Sequence, residues 1–153
     1  KLRGMRCELL GLSVDSVFSH IAWVRSLESR FAATIDFPLV ADVTGEMARR
    51  YGMLMSAESP NEPVRMTYVI DDRGIVRAFS AYPMTTGRNV GEIVRLVAAL
   101  QATDAHGVAT PAGWKPGEPV LAPPPRTQAM AEERAKAGGT ACPDWYFCKK
   151  ETS

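Results

Sequence analysis

Residues 7–23 read CELLGLSVDSVFSHIAW, and the period of the apolar positions changes inside that stretch. Leu9, Leu10, Leu12 and Val14 form a short apolar run, the pattern of a buried strand. Asp15 or Ser16 can then cap a helix by accepting one of its orphan backbone N–H groups. Beyond the cap, Val17, Ile21, Val24, Leu27 and Phe31 recur at helical spacing and share a face. A strand leading straight into a helix is the opening of a β-α-β unit, so this stretch predicts an α/β domain.

The flanking sequence extends the pattern. DFPLVAD (36–42) is short and apolar around Pro38 and reads as a short strand or strand edge. Thr44 can cap a helix through Ala48 to Tyr51, with Gly52 placed as its C-terminal glycine. SAESPNEP (56–63) is a polar loop. MTYVI (66–70), DDRG (71–74) and IVRAFSAY (75–82) read as a hairpin turning at Asp71 to Gly74. In TTGRNVGEIVRLVAALQ (85–101), Val90, Ile93, Val94, Val97 and Leu100 form a helical stripe. The order β-α-β-α-β-β-α, without an internal repeat, suits a three-layer α/β domain.

After Thr103 the composition shifts, and seven of the eleven prolines lie beyond residue 110. GWKPGEPVLAPPP (113–125) is expected to be an extended arm rather than regular structure. TQAMAEERAKA (127–137) reads as a short polar helix stopped by Gly138 and Gly139. An arm of this kind builds no core of its own and is expected to drape over its own domain or a neighbouring subunit. Trp114, Trp145, Tyr146 and Phe147 are its expected anchors.

The 153 residues suffice for one domain with a core. A formal net charge of +1 gives no reason to expect nucleic acid or an anionic membrane as a partner. No run is long and apolar enough to span a bilayer. Three cysteines are too few for a disulfide scaffold, which points to a reducing, cytoplasmic setting. There the tail thiols Cys142 and Cys148 would be free, metal-bound or redox-active. Five intervening residues fit short zinc hooks poorly, and His20 and His106 are distant in sequence. His20 lies beside Ile21 on the apolar face and reads as a packed, satisfied histidine rather than a catalytic base.

LSVDSVFSHIAW (12–23), VRMTYVIDDRGIVRAF (64–79), YPMTTGRNVGEIVRLVAALQ (82–101) and VATPAGWKPGEPV (108–120) together resemble peroxiredoxins of the one-cysteine, peroxiredoxin-6-like branch. The closing CPDWYFC (142–148) is similar to archaeal and bacterial members with tail cysteines. The resemblance implies a thioredoxin-like α/β fold with a C-terminal arm. It places the incomplete core at residues 1–102 and the arm, a dimerisation extension, at 103–153. It implies a thiol-dependent peroxidase for hydrogen peroxide and organic hydroperoxides, with no cofactor. The partners it implies are a peroxide, a thioredoxin-like or small-thiol reductant, and further copies in a dimer or ring. The family's Pro-x-x-x-Thr/Ser-x-x-Cys motif has no counterpart here, and Cys7 has no Pro or Thr at the required offsets. The sequence therefore resembles the family without its first strands and catalytic helix. Loss of a central strand exposes unpaired backbone groups, so these residues alone are expected to be unstable or to aggregate.

Onto this sequence the resemblance carries four site residues. Arg65, in PVRMTYV, corresponds to an arginine that hydrogen-bonds thiolate and peroxide as the O–O bond breaks. Read without the resemblance, it is an edge-strand arginine in a salt bridge. Arg88 precedes a helix start, where a cation is mildly unfavourable and needs a partner. It either supports the first arginine or pairs with a carboxylate such as Glu92. Cys148 is the expected resolving thiol, capturing a sulfenic acid as a disulfide, and Cys142 its possible exchange partner. The plainer reading is that both are small apolar fillers. Two further functions stay open: an inert assembly subunit, and a relay in which a tail cysteine is itself the nucleophile. Phospholipase activity, linked to some relatives, is not carried over.

Overall fold

The computed structural model describes residues 1–54 and 63–151. They group into two compact units, Lys1–Arg88 and Asn89–Ser153.

In the first unit, strand β1 (Gly11–Ser13) pairs in parallel with β2 (Leu39–Ala41), with Gly11 opposite Leu39 and Ser13 opposite Ala41. A Cβ on Gly11 would sit 2.5 Å from the Leu39 side chain, so glycine permits the close approach. Between the strands lies α1 (Val17–Phe31), capped by Ser16, whose Oγ accepts from the Ser19 N–H at 3.2 Å. Leu9 and Leu10, expected in a buried strand, are exposed, Leu10 by 69%. The reason is that β1 is three residues long and its sheet holds only one partner strand, so nothing described covers the run. The α1 stripe is likewise only part-covered: Val24 and Leu27 are half-buried, Val17 and Ile21 are exposed, and Phe31 is exposed by 71%.

Helix α2 (Glu46–Arg50) is capped differently from expectation. The cap is buried Asp42, not Thr44. Its carboxylate accepts from Met47 N–H at 3.2 Å and Ala48 N–H at 2.7 Å. A carboxylate here satisfies two orphan donors and complements the helix dipole, which one hydroxyl does less well. The polar loop read at 56–63 lies, up to residue 62, outside the described residues.

β3 (Arg65–Ile70) and β4 (Val76–Tyr82) form the antiparallel hairpin, with Arg65 opposite Tyr82. Asp71 shapes the turn: its Oδ1 accepts from the Arg73 and Ile75 N–H groups at 3.0 and 2.9 Å. Gly74 takes φ +78°, which a side chain would oppose.

The second unit starts with α3 (Val90–His106), capped by Asn89, whose Oδ1 accepts from the Glu92 N–H. Val97 and Ala99 are its buried residues. The arm packs on α3, with Trp114 as an anchor. Trp114, 3% exposed, and Val120, fully buried, close on Ala99, with Ala98, Ala102 and Val108 packed around them. The Trp114 indole N–H donates to the Glu118 carbonyl at 2.9 Å, so the ring buries its area without orphaning its donor. The arm is also not wholly irregular. β5 (Val120–Leu121) pairs antiparallel with β6 (Lys149–Lys150), which ties the tail back to the arm. Between them α4 (Gln128–Ala137) is the expected polar helix, capped by Thr127 and ended at Gly138. Trp145, Tyr146 and Phe147, expected as anchors, are exposed.

Candidate active site

Two arginines bond backbone carbonyls at the open end of the hairpin. Arg65 opens β3, and Arg88 ends the loop that follows β4. Each grips the other's segment. The Arg65 Nε–H donates to the Met84 carbonyl at 2.9 Å, and an Arg88 Nη1–H donates to the Met66 carbonyl at 3.2 Å. A turn, Thr86 N–H to the Pro83 carbonyl at 3.0 Å, brings the loop round so that these crossed bonds close. Each guanidinium has five N–H donors and spends one here, so both keep donors for an anion or a polarised oxygen. Among the described residues neither arginine has an ion pair. The pairing of Arg88 with Glu92 does not occur. Glu92 is held by Arg95 through two bonds of 2.6 and 2.7 Å. The Arg95 hydrogen bonds hold the Glu92 carboxyl below the ordinary carboxylate range and push the Arg95 guanidinium up.

The tail cysteines meet. Cys142 and Cys148 are joined in a disulfide, and Cys148 is buried. The loop they close is pinned at both ends: Ala122 N–H donates to the Cys148 carbonyl at 2.9 Å, and Lys149 N–H to the Ala141 carbonyl at 2.6 Å. Within it, Asp144 accepts from the Trp145 and Phe147 N–H groups, and Trp145 and Tyr146 meet edge to face at 5.4 Å. The third thiol, Cys7, is free and half-buried. Among the described residues no cluster of three His, Cys, Asp or Glu is placed to hold a metal ion. The arginine pair lies in the first unit and the disulfide in the second.

His20 departs from the satisfied histidine expected. Its Nε2 is 2.7 Å from the Ser13 Oγ, which in turn donates to Asp15 at 2.9 Å, but its buried Nδ1 has no partner among the described residues. Sequence reasoning missed this Ser13–Asp15–His20 chain, because it needs the strand and helix to be adjacent. It also missed the Met66 and Met84 carbonyls, since a backbone acceptor leaves no mark in residue identity.

Residues 1–79 match the AhpC/TSA family, and residues 99–138 match the C-terminal domain of 1-Cys peroxiredoxin. A peroxiredoxin of Aquifex aeolicus is 50% identical over 155 residues, covering 94% of this chain and 69% of that protein. The chain belongs to the peroxiredoxin family. A peroxiredoxin of Archaeoglobus fulgidus is 43% identical, covering 99% of this chain and 73% of the relative. Among solved structures, yeast mitochondrial 1-Cys peroxiredoxin aligns with a TM-score of 0.80 at 30% identity, over 99% of this chain and 75% of that one. Peroxiredoxin 6 of Arenicola marina aligns with a TM-score of 0.80 at 28% identity, over 99% and 73%. The fold is the thioredoxin-like peroxiredoxin fold. Membership in this family implies thiol-dependent peroxidase chemistry, with peroxide and thiol reductants as reaction partners. Among the described residues no helix is long and apolar enough to cross a membrane.

Proposed function

We propose that this chain supplies the arginine pair and the resolving thiols of a cytoplasmic peroxiredoxin acting on hydrogen peroxide and organic hydroperoxides. The observation that carries the reading is the crossed clamp of Arg65 and Arg88, two cations held by backbone carbonyls and, among the described residues, without an ion pair. In this reading residues 1–102 are the peroxiredoxin core and 103–153 the arm, in a dimer or ring. The peroxidatic cysteine is not among the 153 residues, and the strand and helix that carry it come from outside them.

The chemistry then runs in four steps. A peroxidatic thiolate attacks one peroxide oxygen, the O–O bond breaks, and hydroxide or alkoxide leaves with the electron pair. Arg65 donates to the departing oxygen as its charge grows, and Arg88 keeps the Arg65 segment in place. The sulfenic acid formed condenses with the Cys148 thiol, releasing water and making a mixed disulfide. The Cys142 thiolate attacks the Cys148 sulfur, frees the peroxidatic thiol, and leaves the Cys142–Cys148 disulfide. A dithiol or two small thiols reduce that disulfide. The pairing of Cys142 with Cys148 is the oxidised end state this sequence of steps requires.

The test mixes this chain with a peroxiredoxin whose own tail cysteines are replaced by serine, then measures peroxide consumption with excess dithiothreitol or thioredoxin. Thioredoxin-dependent turnover restored by the chain, and not by its Cys148→Ser variant, is expected. No restoration would favour an inert assembly subunit. Fast turnover by the chain alone, lost in Cys148→Ser, would make Cys148 the nucleophile.

A further inference from the structure

The tail disulfide presents its two cysteines unequally. Cys148 directly precedes β6, and the pairing of that strand with β5 runs on into it, because its carbonyl accepts from the Ala122 N–H at 2.9 Å. The residue is thereby pinned against the arm and is 4% exposed. The Asp144 carbonyl oxygen lies 3.6 Å from the Cys148 sulfur, where its partial negative charge opposes an approaching thiolate. Cys142 belongs to no strand. Its N–H donates to the Gly139 carbonyl at 3.0 Å in a turn, and the residue is half-buried. Its neighbours Ala141, Pro143 and Asp144 are all exposed.

A disulfide is reduced when a thiolate attacks one of its sulfurs, and access helps decide which sulfur that is. Resting on the peroxidase reading above, in which this disulfide is reduced in each cycle, we propose that the fold directs the reductant's thiolate to Cys142 and makes Cys148 the leaving group. The incoming sulfur bonds to the Cys142 sulfur. The Cys142–Cys148 bond breaks, and its electron pair goes to Cys148, which takes a proton from water. A second thiolate of the reductant then attacks the reductant sulfur of this mixed disulfide. The oxidised reductant leaves as a disulfide, and Cys142 departs with the electron pair and is protonated in turn. The resolving thiol Cys148 is therefore the first to be regenerated, while Cys142 is still capped.

The oxidised chain is mixed with an equimolar amount of thioredoxin whose second active-site cysteine is replaced by serine, so that the mixed disulfide persists. Acid quenching within the first turnover, alkylation and mass spectrometry then locate it. The mixed disulfide is expected on Cys142, with Cys148 alkylated, in about tenfold or greater excess over the reverse arrangement. Equimolar glutathione serves as a small-thiol probe, with the chain folded and in denaturing guanidinium. The folded chain should show the same preference, and unfolding should bring it to within about twofold, since the two cysteines are then equally accessible. A mixed disulfide mainly on Cys148, an even division in the folded chain, or a preference unchanged by unfolding overturns the proposal and leaves the peroxidase reading standing. No mixed disulfide with either thiol overturns both.

Discussion

The two units treat their apolar residues in opposite ways. In Asn89–Ser153, a proline-rich arm that reads as structureless closes a core around Trp114 and Val120. In Lys1–Arg88, a sequence with clear strand and helix signals leaves Leu10, Phe31 and Phe18 in water, Phe18 by 83%. Periodicity sets which side chains share a face, but burial needs a second surface to meet that face. The arm meets α3 and supplies one. The face of α1 packs on the β2 segment and stays part-exposed. Each large apolar side chain left exposed forgoes about 1.5–3 kcal/mol of burial.

Trp114→Ala should break the comparison most sharply. Truncating a buried aromatic costs about 3–5 kcal/mol. Chemical denaturation should then show the second unit melting well before the first. Cys142→Ser should cost about 2 kcal/mol by the loop-entropy estimate for so short a closed loop. The check is unfolding with and without reductant, since reduction should erase the difference between variant and parent.

Asp42→Ala should cost about 1–2 kcal/mol, because two N–H groups of α2 lose their acceptor. Thermal unfolding of the variant beside Thr44→Ala would sharpen the capping assignment, with Thr44→Ala expected to be near neutral. Phe18→Ser lies at the other extreme. It should change stability by under about 0.5 kcal/mol while lowering self-association, as read by light scattering.

The smallest effect concerns acid. The Ile75 and Arg73 backbone N–H groups and the Arg73 charge hold the Asp71 carboxyl below the ordinary carboxylate range. Its contribution is therefore complete above that range and is lost as pH falls through the lowered value. Asp71→Asn should flatten this acid limb of hairpin stability, measured by amide exchange across β3 and β4.

Much of this architecture was legible in the sequence. Both long helices, the hairpin and its Asp71–Gly74 turn, and the polar α4 follow from local period and turn chemistry, which short windows carry. What escaped depends on distance along the chain. Asp42 caps α2 from before the loop, so a search for a cap beside the helix finds Thr44 instead. Trp114 was read as an anchor, but that its anchorage is Ala99 and Val120 needed the arm's path. For the site, residue identity pointed to Arg65 and Arg88 through resemblance. Their crossed grip on the Met84 and Met66 carbonyls rests on backbone atoms that every sequence has.

The central claim is that the tail thiols serve a nucleophile lying outside these residues, and one measurement addresses it most directly. The fully reduced chain is given one equivalent of hydrogen peroxide, and closure of the Cys142–Cys148 disulfide is timed by rapid alkylation and mass spectrometry. The account predicts slow closure, at the pace of ordinary thiols, unchanged in Arg65→Ala. Fast closure that Arg65→Ala slows would contradict it, because the tail would then be reacting with peroxide at the arginine site itself.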